Sequence, residues 1–404
     1  MAMKYKKNAK KIVHFKPSGF LHLSENWIYD QIKDEKEYQT IVYTEHVLNN
    51  DIFPVLKIRN FPDIHKKICL KNILDKISNK LFGFKLTVLI CLFWDKPAII
   101  MAHFGIHGYD FLPYLKFFKK PLITRFYGYD LSMLPKTKII WQKKYKKLFN
   151  YGDGFLVEGE QMKKKLAKLG CPPEKIFVHH LGVDLDKIKF KKREIKNNED
   201  ICILLAGRFT EKKGFPCALE GIGIYLQNNK EDKIKITIMG KSNGKADEKE
   251  EEKIRKILKK YNLEEITTFL GFETYPNFIE NLYKNHIFIS PSITALNGDD
   301  EGGVPVSIIA ATASGMPVIS TYHCDIPEVI INGKNGFLVR EKNSEDISLT
   351  LGKLIKEQSQ WGRIGYFGHK HIENNYNNKK QIKKLEEIYC NFLNCKRDDI
   401  QPTI

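Results

Sequence analysis

The sequence predicts an α/β protein made of two domains, each built from alternating strands and helices. Its 404 residues, 42% of them hydrophobic, are too many for one ordinary core. They suit two domains of about 200 residues each. Short apolar runs such as Lys11–Phe15 and Ile201–Leu205 are typical of buried parallel strands, and helical patterns follow them. The charged stretch Lys187–Asp200 has no apolar period and predicts the linker between the domains.

Three predicted strands of the first half end in loops that carry polar or glycine residues. The strands are Lys11–Phe15, Ala98–Phe104 and Pro121–Phe126. Because open α/β sheets bind ligands beyond the carboxyl ends of their strands, the residues that end or follow these strands are candidates for binding. They are Gly19, His103, Tyr127 and Asp130.

Three of these residues also fit an ordinary structural role. Gly19 suits a common turn, and His103 suits a histidine that is hydrogen-bonded at a strand end. Asp130 suits the N-cap of a helix over Leu131–Leu134, because a carboxylate accepts from the free N–H groups there. A G-x-G-x-x-G pattern is absent, which argues against a dinucleotide-binding dehydrogenase.

A loop early in the second half combines glycines with two cations. After Ile201–Leu205, the run G-R-F-T-E-K-K-G places Gly207 at the strand end, with Arg208 and Lys213 in the turn that follows. A glycine lets the backbone approach an anion, arginine offers a forked donor, and lysine offers a compact charge. Both cations can reach one diphosphate from such a turn, although two separate surface cations would leave the same pattern.

A carboxylate lies ahead of a helix later in the second half. Glu301 precedes a small-residue helix that is predicted to open at Val304-Pro305 and to end at Gly315. Proline suits the first turn because it lacks only an N–H group that would have no partner there. The free N–H groups and the helix dipole favour an anion at this end.

Both loops resemble motifs of a known enzyme family. The run G-R-x-x-x-x-K-G (207–214) and the run E-G-G-V-P-V with G-M-P-V-I-S-T (301–321) are similar to the donor-site loops of GT4-type retaining glycosyltransferases, which have the GT-B fold. H-F-G-x-x-G (103–108) and F-Y-G-Y-D (126–130) resemble first-domain segments of that family, with Tyr127 in place of the usual histidine. The resemblance covers nearly the whole chain.

The resemblance implies two Rossmann-like domains that face each other across a cleft. Residues 1–187 would form the acceptor-side domain, residues 188–375 the nucleotide-sugar-binding domain, and residues 376–404 a helix that returns to the first domain, with a tail. The implied reaction moves a sugar from a nucleotide-diphosphate sugar to a hydroxyl of a glycan or lipid-linked acceptor, with retention. It would serve cell-envelope polysaccharide synthesis and need no metal or other cofactor.

The resemblance also implies roles for individual residues. The catalytic set is Glu301, Arg208, Lys213, Tyr127, Asp130 and His103. In it, the two cations stabilise the departing diphosphate, Glu301 holds sugar hydroxyls, and the three first-domain side chains line the acceptor side. The implied contacts with the nucleotide sugar are Gly19, Gly207, Arg208, Lys213, Gly240, Gly271, Phe272, Glu301, Gly302, Gly303, Val304 and Pro305.

One departure from the family pattern leaves a second function open. The family has another glutamate inside the helix after Glu301, where it holds the ribose, and this chain has Ala310 there. The alternative is therefore a catalytically silent relative that binds nucleotide or serves as a partner subunit. Among enzymes, an epimerase or a phosphorylase of the same fold is the other candidate.

The formal net charge of +18 predicts either solvated lysines throughout or a localised basic surface. Residues 116–147 hold ten Lys and Arg residues against the single acid Asp130, so they are a candidate for contact with anionic lipids. Nucleic acid is not expected, because no nucleic-acid-binding motif accompanies the charge. No signal peptide or membrane span is evident, which predicts a cytoplasmic protein, peripheral at the inner membrane face. The eight scattered cysteines lack zinc-site spacing.

Overall fold

The computed structural model describes residues 9–55, 57–68, 85–196 and 199–394 of the chain. It divides into two compact units. One runs up to Gly182 and resumes at Asn378, and the other is Val183–Asn377. The predicted domain boundaries follow residues 187 and 375, whereas the two units divide after residues 182 and 377 in the structure.

A seven-stranded parallel sheet forms the centre of the first unit. Its strands are β1 (Lys10–Phe15), β2 (Tyr38–Thr44), β3 (Ile58–Asn60), β4 (Ile99–His103), β5 (Leu122–Arg125), β6 (Gly154–Val157) and β7 (Ile176–Val178). They lie in the order β3-β2-β1-β4-β5-β6-β7, and each neighbouring pair is parallel. All carboxyl ends therefore meet at one edge of the sheet.

Helices cover this sheet on both faces. Those that precede residue 182 are α1 (Asn26–Ile32), α2 (Phe61–Ile68), α3 (Lys85–Asp95), α4 (Gly105–Phe111), α5 (Gly128–Leu131), α6 (Met133–Thr137), α7 (Ile140–Tyr151) and α8 (Glu160–Lys168). Alternate residues of β1 enter different apolar clusters, Val13 and Phe15 one and Ile12 the other. Strands that are apolar on both faces are expected where helices cover both faces of a parallel sheet.

The second unit repeats this plan with six parallel strands. They are β8 (Ile201–Ala206), β9 (Ile234–Met239), β10 (Thr267–Gly271), β11 (Ile287–Ser290), β12 (Val318–Thr321) and β13 (Phe337–Val339), in the order β10-β9-β8-β11-β12-β13. The helices are α9 (Phe215–Asn228), α10 (Lys245–Lys260), α11 (Tyr275–Lys284), α12 (Val306–Ala313), α13 (Ile326–Val329), α14 (Ser344–Lys356) and α15 (Trp361–Asn375). Two α/β units, each with a parallel sheet, confirm the predicted fold class.

The segment predicted as a charged linker, Lys187–Asp200, is anchored to the second unit. Ile188 is fully buried in an apolar cluster of that unit. The buried Arg193 guanidinium donates to the carbonyl oxygens of Leu282, at 2.6 Å, and Ser314, at 3.2 Å. These contacts were not predicted, because a few anchoring side chains in a segment without helix or strand produce no periodic pattern in the sequence.

The last described helix, α16 (Asn378–Asn394), belongs to the first unit. Its Leu385, Tyr389 and Phe392 pack in the apolar cluster that holds Ile12 and Met101 of the sheet. A second contact fixes its start, since His179 hydrogen-bonds through Nε2 to the Gln381 carbonyl oxygen at 2.8 Å. The return of the C-terminal helix to the first unit is as the resemblance implies. Within the described residues, no helix has the length and apolar character to cross a membrane.

Leu385→Ala is expected to lower the free energy of unfolding by about 2–5 kcal/mol, because it empties a fully enclosed position between α16 and the sheet. Denaturant unfolding followed by circular dichroism measures the change. Lys383→Ala, on the exposed face of the same helix, is the matched control and should change stability by less than about 0.5 kcal/mol. Equal effects of the two substitutions would show that α16 does not cover the sheet.

Candidate functional site

Three glycines bring neighbouring loops of the second unit together at the carboxyl edge of its sheet. A Cβ atom on Gly240 would lie 1.9 Å from the carbonyl oxygen of Gly207, so only glycine permits this approach. The Gly240 N–H donates to the Gly271 carbonyl oxygen at 2.7 Å. The loops after β8, β9 and β10 therefore form one continuous backbone surface at the predicted nucleotide side. Phe272, which follows Gly271, is exposed there.

Lys213 and Glu301 form an ion pair at the same edge. The Lys213 Nζ lies 2.9 and 3.0 Å from the two carboxylate oxygens of Glu301, and the Ser292 hydroxyl donates to Oε1 at 2.9 Å. Burial acts to raise the pKa of Glu301. The charges of Lys213 and Lys212 and the hydrogen bonds from Lys213 and Ser292 outweigh it and lower the pKa to about 2. The carboxylate therefore stays ionised at physiological pH.

A second ion pair holds the turn that precedes Glu301. The Lys212 Nζ lies 3.1 Å from Asp299 Oδ2 and donates to the Asp300 carbonyl oxygen at 3.0 Å. The Gly302 N–H donates to Asp300 Oδ1 at 2.9 Å, and Gly302 has a φ of +73°, which favours glycine. Adjacent lysines thus serve different purposes, since Lys212 fixes the loop and Lys213 pairs with Glu301.

The Glu301 backbone is supported by His323, a residue that was not predicted from the sequence. The His323 Nδ1 lies 2.7 Å from Glu341 Oε1, so the Nδ1–H donates to this carboxylate. Its Nε2 is then free to accept from the Glu301 N–H at 3.3 Å. His323 follows β12 and Glu341 follows β13, at the same edge of the sheet. A single histidine next to a strand has no sequence pattern that would mark this role.

Arg208 lies in the same loop as Lys213, but its side chain is exposed. Among the described residues, its guanidinium has no hydrogen bond or ion pair. The structure thus brings Lys213 and Glu301 into contact and leaves Arg208 as an exposed cation of the loop between β8 and α9.

Helix α12 begins at Val306, directly after the predicted opening at Val304-Pro305. Pro305 is its N-cap, with φ −54° and ψ 127°, and Val306 is the first helical residue. The four residues between Glu301 and the helix are all buried, namely Gly302, Gly303, Val304 and Pro305. The N–H groups of Val306 and Ser307 lack partners within the helix, as expected at a first turn, whereas the Ile308 N–H donates to the Pro305 carbonyl oxygen at 2.9 Å. Ala310 is fully buried in the apolar cluster that also holds Phe288.

In the first unit, His103 and Tyr127 are in contact at the carboxyl ends of β4 and β5. The His103 Nδ1 lies 2.9 Å from the Tyr127 hydroxyl oxygen, and the two rings are stacked. Burial keeps the pKa of His103 well below its usual value and raises the pKa of Tyr127 well above its usual value. Both groups are therefore neutral at physiological pH.

Asp130 is buried and holds two loops through its carboxylate. It accepts from the Tyr127 N–H at 2.7 Å and from the Gly105 N–H at 2.5 Å. The alternative role of Asp130, as the N-cap of a helix over residues 131–134, is wrong, because Asp130 is the third residue of α5. Burial raises the pKa of Asp130 to about 7, against the opposing effect of these two hydrogen bonds and of its own backbone N–H.

Gly19 forms the turn after β1 with a φ of +116°. The buried Lys16 ammonium donates to its carbonyl oxygen at 2.5 Å and pairs with Glu25 at 3.0 Å. Burial lowers the pKa of Lys16, while Glu25 counteracts this effect. Lys16 is a buried cation at the carboxyl edge of the first sheet. It was not predicted, because a single lysine after a strand is usually exposed. No cluster of three or more His, Cys, Asp or Glu that could hold a metal exists in the described residues.

Comparison with solved structures defines the class of protein. The structure of Anabaena Alr3699/HepE in complex with UDP and glucose superposes with a TM-score of 0.75 at 14% identity, covering 94% of this chain and 99% of HepE. This similarity, with two Rossmann-like units, shows a GT-B fold.

Sequence comparison then gives the family. Residues 186–371 match the family described as "Glycosyl transferases group 1", and residues 36–187 match "Glycosyltransferase Family 4". The amylovoran biosynthesis glycosyltransferase AmsK of Erwinia amylovora is 30% identical over 72% of this chain and 69% of AmsK. The putative colanic acid biosynthesis glycosyltransferase WcaL of Salmonella typhimurium is 31% identical over 66% of this chain, and the match spans 64% of WcaL. The chain belongs to the GT4-type glycosyltransferase family.

Asp130 predicts a pH dependence of stability. Its pKa of about 7 in the folded protein lies above the ordinary value of 3.8, so the folded state keeps a proton that the unfolded state loses. The free energy of unfolding should therefore fall as the pH rises from about 4 to about 7, and this contribution should level off above that window. Denaturant unfolding at several pH values measures the slope.

Asp130→Asn should remove this contribution, because the amide does not titrate. Asp51→Asn, at an exposed position of the same unit, is the matched control and should keep the slope of the unsubstituted protein. Identical slopes for all three proteins would contradict the assigned environment of Asp130.

Proposed function

We propose that this chain is a retaining glycosyltransferase that transfers a sugar from a nucleotide-diphosphate donor to a hydroxyl of a glycan or lipid-linked acceptor. The observation that carries the proposal is the Lys213–Glu301 pair at a glycine-lined sheet edge, beside the start of α12. The biosynthetic names of AmsK and WcaL support a role in cell-envelope polysaccharide synthesis. The UDP and glucose in the HepE complex support a nucleotide-sugar donor.

The second unit would stabilise the leaving group. During transfer, the bond between the anomeric carbon and the diphosphate oxygen breaks, and the electron pair stays on the diphosphate. Arg208, Lys213 and the free N–H groups at the start of α12 are the positive groups that this charge would meet. Each charge-assisted contact is worth roughly 1.5–3 kcal/mol, and every 1.36 kcal/mol gives about tenfold in rate. Because these groups supply positive charge, we propose a reaction that is independent of metal.

The ion pair would also fix the donor sugar. Glu301 remains ionised and is held from both its side chain and its backbone, so it can accept hydrogen bonds from sugar hydroxyls without reorganising. Lys213 can bridge between this carboxylate and the diphosphate, since an ammonium has three donors. The acceptor would lie against the first unit, where His103 and Tyr127 are the polar groups. Asp130 would act there only by positioning Tyr127, because both its oxygens are bonded to backbone N–H groups.

Nucleotide binding tests the proposed donor site. UDP, titrated by calorimetry, should bind the unsubstituted protein, and Lys213→Ala should weaken binding about tenfold or more. Arg208→Gln should weaken it similarly without a change in thermal unfolding, because this side chain is exposed. Lys235→Ala removes an equivalent exposed cation elsewhere in the second unit and is the control. Unchanged UDP affinity in both loop variants would contradict the diphosphate site.

Turnover separates the proposed enzyme from the silent alternative, which Ala310 favours. UDP-glucose and other nucleotide sugars should release nucleotide diphosphate in the presence of glycan acceptors. UDP binding without turnover, in both the unsubstituted protein and Ala310→Glu, would favour a silent binding protein. Because Ala310 is fully buried, the glutamate variant should also unfold at a lower temperature. Nucleotide release that needs no acceptor would indicate an epimerase, and release that requires phosphate would indicate a phosphorylase.

We also propose that the first unit docks on an anionic membrane surface. Of the basic residues in 116–147, Arg125 is fully buried and does not contribute, whereas Lys116, Lys119, Lys120, Lys136, Lys138, Lys143, Lys146 and Lys147 are exposed. Ile139 and Ile140 lie among these lysines and are 69% and 55% exposed. Exposed apolar side chains within a basic surface suit the headgroup region, where each lysine contributes roughly 1 kcal/mol.

Vesicle co-sedimentation measures this docking. The protein should bind vesicles that contain phosphatidylglycerol and should not bind neutral phosphatidylcholine vesicles at 0.15 M salt. The triple variant K143E/K146E/K147E on α7 should lose most binding. The triple variant K249E/K256E/K259E, which makes the same charge change on exposed positions of α10, should retain it. Equal loss in both variants would indicate a response to net charge alone.

A further inference from the structure

A single carboxylate joins three loops at the carboxyl edge of the second sheet. Glu341 follows β13, and its Oε1 lies 2.7 Å from the Nδ1 of His323, in the loop after β12. Its Oε2 accepts at 2.8 Å from the N–H of Thr294, in the loop after β11. Because β11, β12 and β13 are neighbours in the sheet, these loops leave the edge side by side. Glu341 therefore holds two loops from a third.

Both of the loops that Glu341 holds lead to Glu301. The His323 Nε2 accepts from the Glu301 N–H at 3.3 Å and so supports the backbone. Ser292, in the same loop as Thr294, donates through its hydroxyl to Glu301 Oε1 at 2.9 Å and so supports the side chain. Glu341 thus reaches Glu301 by two separate routes, one through an imidazole ring and one through the loop after β11.

The first route depends on where His323 carries its proton. The Nε2 can accept from the Glu301 N–H only while the imidazole proton lies on Nδ1. Glu341 is the acceptor that keeps the proton there, because the hydrogen bond at one ring nitrogen decides the role of the other. His323 is 1% exposed, so water hardly competes for either nitrogen. The Cys324 thiol, a weak donor 3.1 Å from Nε2, fits the same tautomer.

The second route depends on polar contacts, because the tip of the loop after β11 has little apolar support. Leu296 at this tip is 89% exposed, and its N–H donates to the Glu211 carboxylate at 3.2 Å. Glu341 holds the loop at Thr294, which lies nearer in the sequence to Ser292. Loss of the Glu341 carboxylate would therefore release the loop close to the hydroxyl that donates to Glu301.

We propose that Glu341 is a positioning residue of the donor site, which holds Glu301 where it can bind the hydroxyls of the donor sugar. This inference rests on the proposed function of the chain. Both oxygens of Glu341 already accept hydrogen bonds from the protein, so Glu341 acts through Glu301. A carboxylate that is held by its backbone and by its side chain binds without reorganising, and a misplacement of about 1 Å can cost about 100-fold in rate.

This role concerns the sugar part of the donor and not the nucleotide part. UDP lacks the sugar hydroxyls that Glu301 would bind, whereas UDP-glucose carries them. The ion pair between Lys213 and Glu301 is direct and contains no atom of Glu341. Loss of Glu341 should therefore weaken the binding of UDP-glucose and leave the binding of UDP nearly unchanged.

Calorimetry with both compounds measures this difference. Glu341→Ala should weaken UDP-glucose binding about tenfold and UDP binding less than about twofold, and Glu341→Gln, which keeps one acceptor oxygen, should lie between. Asp346→Asn removes a nearby carboxylate that is bonded to Arg340 and is the matched control, so it should change neither affinity. Equal weakening for both compounds, or no weakening for either, would overturn the positioning role.

Two substitutions of His323 separate the proposed link from a general effect on stability. A glutamine amide extends toward the place of Nε2 and can accept from the Glu301 N–H, whereas an asparagine amide extends toward the place of Nδ1 and donates only to Glu341. His323→Gln should therefore keep most of the UDP-glucose affinity, and His323→Asn should lose about tenfold. Equal losses in the two variants would contradict the route through Nε2.

Imidazole ¹⁵N NMR of the ligand-free full-length protein tests the geometry without any donor. His323 should show a protonated Nδ1 and an unprotonated Nε2. In Glu341→Ala the form with a protonated Nε2 should appear, and the amide proton resonance of Glu301 should shift, whereas Asp346→Asn should change neither. A protonated Nε2 in the unsubstituted protein would overturn the positioning role and leave the proposed function intact. The expected tautomer in a protein that binds neither UDP nor UDP-glucose would instead contradict the proposed function.

Discussion

The second unit depends on placing a charged carboxylate in a buried position. Glu301 tolerates this position because Lys213 neutralises it and Ser292 donates to it, and an unpaired charge there would be costly. The partners lie far apart in the sequence. They meet because β8 and β11 are neighbours in a parallel sheet, so the loops after both strands leave from one edge. The strand order therefore determines the electrostatics of this edge, and the glycine turns and the His323 hydrogen bond keep its geometry.

The buried polar groups at the two sheet edges differ in charge. In the second unit, neighbouring cations lower the pKa of Glu301 and keep it charged. In the first unit, burial shifts the pKa values of His103, Tyr127 and Asp130 toward their neutral forms. Charged groups suit a phosphate, which is itself charged, whereas neutral donors and acceptors suit a hydroxyl. The same strand–loop–helix plan thus produces two chemically different edges, because the residues that follow the strands differ.

Most of the fold could be predicted from the sequence, because buried parallel strands are short apolar runs and their helices have apolar faces. The glycines around Lys213 and around Glu301 marked each of them as a candidate site residue, although their ion pair itself was not predicted. Contacts between distant segments could not be predicted in this way. Arg193 anchors the predicted linker, and His323 supports Glu301, yet each is a single residue whose role depends on which backbone groups lie beside it. The place of Asp130 within α5 depended on a helix start that differs by three residues from the expected one.

The return of α16 to the first unit has a consequence for synthesis on the ribosome. The 195 residues of Val183–Asn377 are translated between the main part of the first unit and the helix that completes it. At typical elongation rates this takes roughly 10–40 s. During that interval the sheet face with Ile12, Ile99 and Met101 lacks its cover, while the second unit emerges with all its own segments. The domain that is translated first is therefore finished last, and a nascent chain of this protein carries an open apolar face while the whole second unit is translated.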